Sequence, residues 1–427
     1  MKISAVKGMK DVLPTAQGED APFNSRIWER ILNAGREVLS RYGFELIHTP
    51  VLEESRLFAR AVGEETDIVG KEMYAFEDRG GKVLALRPEN TAGAVRAYVE
   101  QGLPMRDPVQ RWWYFGPMFR RERPQRHRYR QFFQLGVESF GVAAPEEDVE
   151  ILALARDLIE AVGLVGVELR VNSLGDEACR PGYLEVLRAY LEERRDRLCA
   201  DCQRRIDRNP LRALDCKEPG CVEATRDAPA SHEHLCDPCR QHFDRVLAGA
   251  AAMEIPYVLD ARLVRGLDYY TRTAFEMTAQ ALGTGQQTAV CGGGRYDGLV
   301  KLLGGPPTPA IGFAMGVERI ATLLAEAGGV PAASADLFLA FADPRGLEAA
   351  QRLARQARGR GLRTEMDLRG GKVSKQLGRA DRRGARFAVV LGELEVQAGR
   401  ARLKEMATGQ ETEVALDALV EEVWKRR

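Results

Sequence analysis

Two arrangements of strand-like segments follow one another along this chain, and they constrain its fold more than any other feature. Between residues 44 and 277, short apolar segments are joined by hairpin-like or long irregular connections, without a helix regularly placed between them. After a small-residue linker at 325–335, strand and helix patterns alternate. The first arrangement predicts an antiparallel sheet with helices packed on it, and the second predicts a separate small α/β domain.

Individual elements of the first region can be predicted from local patterns. A helix is expected at 20–42, with Asp20 as its cap and Gly43 as its stop. The turn DRGG predicts a hairpin between 73–77 and 82–86. Further strands are predicted at 44–48, 109–115, 118–121, 131–138, 167–172, 257–259 and 271–277. The segment 183–253 is charged, cysteine-rich and helical in pattern, so it is predicted to be an insertion.

Charge is balanced over the whole chain but not along it. Lys+Arg and Asp+Glu are 62 each, which gives no indication of a nucleic-acid partner. Residues 352–386, however, carry 12 basic and 3 acidic side chains. Such a patch is either a surface for a polyanion or a solvated helix face, and charge alone does not decide between them. No apolar segment is typical of a signal peptide or a membrane span, so we expect a cytoplasmic protein without membrane contact.

An arginine-rich segment, FRRERPQRHRYRQFF at 119–133, is the strongest candidate for phosphate binding. The chain has no glycine-rich phosphate loop of the Walker type and no dinucleotide fingerprint. Six arginines lie between Arg120 and Arg130, flanked by predicted strands. Because arginine forms planar, bidentate contacts with phosphate, this pattern favours a phosphate or nucleic-acid contact over a solvated loop.

Three other segments combine glycine with polar or aromatic residues. LVRGLDYYTRTAFE (263–276) places an arginine, a carboxylate and two phenols between two apolar strands, which is typical of a pocket for a polar ligand. CGGGRYDGL (291–299) is predicted to let the backbone approach a ligand, although glycine runs also make plain turns. AIGFAMGVERI (310–320) reads as a strand leading into a helix that carries Arg319 near its start.

In this order, the segments resemble the motifs of class II aminoacyl-tRNA synthetases, and specifically the histidyl-tRNA synthetase family. The first motif corresponds to the helix and strand before Pro50, the second to FRRER…FFQLGVE and the third to GFAMGVERI. RGLDYY and GGGRYDG resemble the two signatures of the histidine enzymes. KGMKDVLP (7–14) resembles their N-terminal segment, with Lys7 where arginine is common.

The resemblance implies an architecture and an activity. The implied fold is an α+β catalytic domain at 1–325 with an antiparallel sheet and flanking helices, a helical insertion at 183–253, and a C-terminal α/β anticodon-binding domain at 334–427. The implied reaction is the ATP-dependent ligation of L-histidine to the 3′ end of histidine tRNA through a histidyl-adenylate, releasing AMP and pyrophosphate. Mg²⁺ and a homodimer are implied as well.

The resemblance also assigns roles to residues. Arg265 and Arg120 would be the catalytic cations. The implied histidine-binding residues are Glu89, Asn90, Thr91, Arg120, Gln134, Glu138, Arg265, Tyr269, Tyr270 and Tyr296. ATP would contact Arg120, Phe132 and Arg319, with Phe132 and Arg319 stacking on the adenine. Arg123 and Gln125 would contact the acceptor end of the tRNA.

The cysteines of the insertion allow two interpretations. Cys199 and Cys202 form one C-x2-C pair and Cys236 and Cys239 another, which predicts a closed, structural zinc site made of these four. Cys216 and Cys221 would complete a second site or stay reduced. The other interpretation is a set of reduced thiols, since the family does not require a metal.

Two other functions compete with a synthetase. One is a non-catalytic relative that senses histidine or ATP, but such relatives usually lack the C-terminal domain and parts of the motifs. The other is a zinc-dependent nucleic-acid-binding module, which leaves the arginine-rich motifs unexplained.

Overall fold

The computed structural model describes residues 3–63, 66, 68–122, 128–282, 288–328, 330 and 335–426. It divides into two compact units, Met1–Val330 and Pro331–Arg427. None of the helices within the described residues has the length and apolar character needed to cross a membrane.

The first unit contains two sheets. Its strands are β1 (Glu45–Leu46), β2 (Leu52–Glu54), β3 (Tyr74–Glu77), β4 (Val83–Leu86), β5 (Gln110–Phe119), β6 (Gln131–Phe140), β7 (Val167–Ser173), β8 (Val258–Leu259), β9 (Thr271–Ala279), β10 (Ala289–Arg295) and β11 (Ala310–Gly316). The larger sheet has the order β1-β5-β6-β11-β10-β9-β7-β8, and the smaller has the order β2-β4-β3. Pairing is antiparallel from β5 through β7, as predicted, while the edge strands β1 and β8 pair in parallel.

Helices cover both faces of the larger sheet. The helices of this unit are α1 (Ser25–Arg41), α2 (Ser55–Val62), α3 (Thr91–Glu100), α4 (Leu103–Arg106), α5 (Pro145–Val162), α6 (Arg180–Glu192), α7 (Ala200–Arg208), α8 (Leu211–Leu214), α9 (Pro219–Ala224), α10 (Asp237–Ala252), α11 (Leu299–Leu302) and α12 (Val317–Gly328). One core joins α1, α5, α10 and α12 to the sheet. A second core joins α2 and α3 to the sheet and contains Tyr269, Tyr270 and Tyr296.

Three local predictions need correction. The first long helix begins after Asn24, whose side chain accepts a hydrogen bond from the Arg26 N–H at 3.1 Å, and Asp20 lies in a 3₁₀ turn before it. The strands expected at 109–115 and 118–121 are the single strand β5, which accommodates Pro117. The linker expected at 325–335 begins later, since α12 continues to Gly328.

The glycine triplet 292–294 lies inside strand β10 and not in a loop. Glycines carry no side chain and therefore leave no alternating pattern by which a strand could be predicted. Its neighbours explain the residue type, because a Cβ at Gly293 would meet the Gly312 carbonyl oxygen and the Cβ of Phe313 on β11. Gly294, at φ +156°, would meet Thr273 and Tyr270 in the same way.

The second unit has the predicted alternation of strands and helices. Its elements are β12 (Leu337–Phe341), α13 (Pro344–Gly359), β13 (Thr364–Met366), α14 (Val373–Arg382), β14 (Phe387–Leu391), α15 (Glu393–Ala398), β15 (Arg400–Glu405), β16 (Glu411–Ala415) and α16 (Leu419–Lys425). The sheet order is β13-β12-β14-β15-β16, with β12 parallel to both neighbours and an antiparallel hairpin formed by β15 and β16. Apolar helix faces of α13 and α16 pack on this sheet.

Candidate active site

A cavity of about 840 Å³ lies in the first unit, beside strands β6, β9, β10 and β11. Residues of the insertion and of the segment 260–266 form part of its wall. Five carboxyl groups and seven cations line it, and the cations are Arg120, Arg128, Arg170, Lys217, Arg262, Arg265 and Arg319. This surplus of fixed positive charge suits an anionic ligand such as a polyphosphate.

Arg265 is held at the cavity wall by a carboxylate and a ring. Its guanidinium donates to Glu276 Oε1 at 2.7 Å and lies 5.8 Å from the centroid of Tyr270. Burial lowers the pKa of Arg265, but the charge of Glu276 together with the neighbouring phenol and thiol groups outweighs this, so the pKa is raised. Arg265 therefore stays charged in a fixed position.

A glycine in β10 makes room for this arginine. A Cβ added at Gly292 would overlap with the guanidinium of Arg265. Similarly, a Cβ at Gly312 on β11 would overlap with the carboxylate of Glu138, which pairs with it across the sheet. Because Gly292 and Gly312 have no side chain, there is space for the charged side chains of Arg265 and Glu138 to lie against the sheet.

Arg120, Phe132, Gln134 and Arg319 line the same cavity. Arg120 donates from Nε to the Pro88 carbonyl oxygen at 3.0 Å, and its guanidinium lies 5.1 Å from the Phe132 ring centroid. Arg319 donates to the Ala289 carbonyl oxygen at 2.6 Å. Burial lowers the pKa of Arg319, and the nearby cations Arg128 and Arg120 lower it further. An anionic ligand bound between these arginines would offset their mutual repulsion.

A buried polar cluster, formed by Thr91, Tyr114, Glu138 and Tyr296, lies next to these residues. The Glu138 carboxylate accepts hydrogen bonds from Thr91 Oγ1 at 2.7 Å, Tyr114 OH at 3.2 Å and Tyr296 OH at 2.5 Å. Burial raises the pKa of Glu138 to about 8, although the hydroxyl donors oppose this shift. A carboxyl with a pKa near neutrality can accept or donate a proton in a hydrogen bond to a polar ring.

Glu89 and Asn90 are buried at the start of helix α3. Glu89 accepts hydrogen bonds from the backbone N–H groups of Thr91 at 2.6 Å and Ala92 at 3.0 Å, so it caps the helix. The Asn90 side-chain oxygen accepts hydrogen bonds from Arg87 at 3.0 Å and Thr49 at 2.5 Å. Asn90 has φ −116°, so this position does not use the left-handed conformation that glycine favours.

Three tyrosines pack behind Arg265. The rings of Tyr269 and Tyr270 are 4.7 Å apart, and those of Tyr269 and Tyr296 are 5.6 Å apart. The Tyr269 hydroxyl is buried and has no hydrogen-bond partner among the described residues. These rings do not line the cavity. Tyr270 instead contacts Arg265, which does.

Sequence reasoning missed three residues of this region. Glu276 holds Arg265, Tyr114 donates to Glu138, and Glu318 accepts from the Phe133 N–H at 2.9 Å. A signal was available for Glu276, since it is a single acidic residue between Phe275 and Met277 in a predicted strand. The other two contacts depend on which strands are neighbours. Arg123 and Gln125 lie outside the described residues, and their contact with tRNA stays a prediction.

The predicted set of zinc ligands is wrong, because the structure separates the two C-x2-C pairs. Cys199 and Cys202 lie with Cys216 and Cys221, whereas Cys236 and Cys239 lie with Asp176 and Cys179. The pairs begin two different helices, α7 and α10, and sequence spacing does not show which other segment packs against each.

An antiparallel sheet with an arginine-lined cavity, followed by a separate α/β unit, is the arrangement of class II aminoacyl-tRNA synthetases. Residues 17–320 match the family model described as histidyl-tRNA synthetase, and residues 337–426 match the one described as anticodon binding domain. The chain belongs to the histidyl-tRNA synthetase family.

Full-length relatives agree with this assignment. The histidine–tRNA ligase of Anaeromyxobacter sp. (strain K) is 52% identical over 424 residues, covering 99% of this chain and 100% of the relative. That of Trichlorobacter lovleyi is 47% identical over 418 residues, covering 98% and 97%. The crystal structure of apo S. aureus histidyl-tRNA synthetase is similar with a TM-score of 0.79 at 35% identity, covering 99% of this chain and 100% of that one.

Proposed function

We propose that this chain ligates L-histidine to histidine tRNA in two steps. The histidine carboxylate oxygen attacks the α-phosphorus of ATP, the bond to the β-phosphate oxygen breaks, and pyrophosphate leaves. The terminal adenosine hydroxyl of the tRNA then attacks the aminoacyl carbonyl, and AMP leaves. Neither step needs a protein nucleophile, so positioning and charge neutralisation supply the rate acceleration.

The observation that carries this proposal is the shared cavity of Arg120, Arg265 and Arg319, next to the buried cluster around Glu138. Arg265 and Arg120 would neutralise the α-phosphate, and Arg319 the terminal phosphate. Phe132 would stack on adenine. Arg319 would stack on the face of the adenine that Phe132 does not cover. The Phe132 ring already has an arginine partner in this structure, Arg120.

Glu138 and Tyr296 would hydrogen-bond the imidazole of histidine, and Tyr269 and Tyr270 would pack beside it. Glu89, Thr91 and Gln134 would hold the α-amino group. The Oε1 of Gln134 is buried without a partner among the described residues, as expected of an acceptor that a ligand completes. Asn90 would contact histidine through its Nδ2, which is buried without a partner among the described residues, since its side-chain oxygen is engaged by Arg87 and Thr49.

Mg²⁺ fits the donors of this cavity. It prefers carboxylate oxygens together with substrate phosphates, and Glu122 and Glu276 line the cavity. Both carboxylates also pair with arginines, Arg128 and Arg265 respectively. When bound, the ion would neutralise charge on the polyphosphate.

Exchange of radioactive pyrophosphate into ATP, measured with each of the twenty amino acids, tests this function. We expect exchange with histidine and close to none with the others, because a site that hydrogen-bonds a polar ring strongly rejects ligands lacking it. Exchange with another amino acid would contradict the specificity. Histidine binding without exchange would favour a non-catalytic sensor.

We also propose a cytoplasmic homodimer joined through the 20–50 region. The edge strand β1 has exposed residues, including Leu46 at 43% and the nearby Leu52 at 40%. A second copy would cover these side chains. Analytical ultracentrifugation of the active protein should give the mass of a dimer, and an active monomer would contradict this arrangement.

A further inference from the structure

Four cysteine sulfur atoms of the insertion converge on one point. Those of Cys199, Cys202, Cys216 and Cys221 all lie within 4.8 Å of one another. The sulfurs of Cys199 and Cys216 are 3.9 Å apart. Four thiolates at about 2.3 Å from a tetrahedral zinc ion are separated by about 3.8 Å. The cluster therefore has nearly the size of a tetrathiolate zinc site.

We propose that these four thiolates, the insertion cluster, bind one structural Zn²⁺. Cys202 and Cys221 are fully buried, and Cys199 and Cys216 are half-buried, so bulk water has little access to the ion. The Cys199 backbone N–H donates to the Cys221 sulfur at 3.1 Å, which is the kind of contact that orients a thiolate ligand. Soft sulfur donors select zinc over magnesium or calcium. With four protein ligands, no position remains for a substrate.

The insertion cluster joins three segments with a small apolar core of their own. Cys199 precedes α7, Cys216 follows α8, and Cys221 lies in α9. The core they share consists of ten buried residues, three of which (Tyr183, Leu187 and Leu191) belong to the longer helix α6. Small cores of this kind commonly depend on a metal or on disulfides for stability. The ion would hold together helices that bury little apolar surface.

The position of the insertion cluster ties it to the active-site cavity. Cys216 lines that cavity, together with the neighbouring residues Asp215 and Lys217. Arg262 donates to the Leu214 and Val222 carbonyl oxygens at 3.2 and 3.4 Å, which connects this wall to the segment that carries Arg265. Binding of zinc would thus fix one wall of the cavity without taking part in the reaction.

A second cluster, Asp176, Cys179, Cys236 and Cys239, offers a matched control. Its carboxylate already accepts a hydrogen bond from the Ala178 N–H at 3.0 Å and forms an ion pair with Arg272 at 3.3 Å. We therefore rest the proposal on the insertion cluster alone. Removing thiols from either cluster changes the same number of cysteines in the same insertion region.

The decisive experiment compares two double variants after purification with zinc. Cys216→Ser/Cys221→Ser should lose one zinc per chain relative to the unsubstituted protein, measured by mass spectrometry of the metal. Cys236→Ser/Cys239→Ser should keep that ion, and its Co²⁺-loaded form should keep the visible absorption of tetrahedral thiolate coordination. Loss of the same absorption in this second variant would overturn the ligand set, as would zinc retained by the first.

The unsubstituted protein provides a test that does not depend on the variants being folded. Removing zinc with a chelator should accelerate amide hydrogen exchange in residues 199–224 and leave the unit Pro331–Arg427 unchanged. Unchanged exchange in 199–224, binding of less than one zinc per chain, or a disulfide between Cys199 and Cys216 in the intact protein would each overturn the proposal. The outcome is independent of the amino-acid exchange assay, so failure here leaves the synthetase function standing.

Discussion

The two units of this molecule differ in where they place charged side chains. The first unit buries Arg87, Glu89, Glu138, Asp148, Arg295 and Glu318 against or between its strands. Among the described residues of the second unit, Asp367 is the one charged side chain that is buried, while most of the many arginines are exposed. Burying a charge costs free energy unless partners compensate it.

This difference separates two kinds of binding. Buried charges that are fixed by partners are already oriented for a reaction, so little reorganisation is needed when charge develops on a substrate. Exposed arginines are screened and mobile, and they contribute affinity for a polyanion without fixing its geometry. The first unit is therefore suited to chemistry and the second to holding a large nucleic acid. Four predictions test this comparison.

The largest effect is expected for Arg265→Ala. Loss of a fixed cation next to developing charge should lower histidine-dependent ATP–pyrophosphate exchange by about 10²–10³. Because the substitution leaves Glu276 without its partner, the double variant Arg265→Ala/Glu276→Gln should be measured beside it. Near-normal exchange by either folded variant would show that Arg265 is not needed for the reaction.

A smaller loss is expected for Gly292→Ala. The added Cβ would overlap with Arg265, and overpacking of this kind costs about 1–3 kcal/mol. If that strain displaces the guanidinium, kcat/KM for adenylate formation should fall roughly 10- to 100-fold. Gly359→Ala, in the second unit, is the matched control because nothing lies within 4 Å of its Cβ position. Equal activity of both variants would show that the fit around Arg265 is loose.

The stability of the first unit should depend on pH through Glu318. Burial raises the pKa of Glu318 from 4.5 to about 8, so the folded state keeps a proton that the unfolded state loses. Between these values stability should fall as pH rises, by about 1.4 kcal/mol per pH unit from this group. Glu318→Gln should weaken this dependence, as measured by hydrogen exchange of the first unit between pH 6 and pH 7. An unchanged dependence would contradict the raised pKa.

The smallest effect is expected for Arg352→Ala/Arg355→Ala on α13. Both side chains are exposed, whereas Arg360 and Arg383 form ion pairs with Glu421 and Glu365. If the basic patch binds tRNA phosphates, the slope of log affinity against log salt should decrease by about 2 for this pair. Alanine at 360 and 383 should change it less, and exchange should be unaffected by either pair. If both double variants have the same slope as the unsubstituted protein, the patch is a solvated helix face and does not bind tRNA.

Sequence patterns predicted the parts of this fold that depend on local chemistry. The DRGG turn predicted a hairpin, and the alternation after residue 335 predicted the α/β unit; both are present. Turn residues and the spacing of apolar residues act over short distances along the chain, so they can be read from the sequence. Arg120, Phe132, Gln134, Arg265 and Arg319 line one cavity, as their motifs suggested. Their individual roles stay predictions.

Contacts between distant strands could not be predicted in this way. Tyr114 reaches Glu138 because β5 pairs with β6, and Tyr296 reaches it across β11. The prediction of one zinc site from the two C-x2-C pairs was wrong for the same reason. Identical spacings do not show which thiols are brought together when the short helices pack.

The glycines of β10 and β11 also set how this chain can evolve. Every change that replaces glycine by another amino acid adds at least one carbon atom to the residue. At Gly292, Gly293 and Gly312 that atom would overlap with Arg265, a backbone oxygen or Glu138. Packing against these neighbours therefore constrains substitution at three positions that supply no reacting group, and the mutational target of this enzyme is larger than its list of reacting groups.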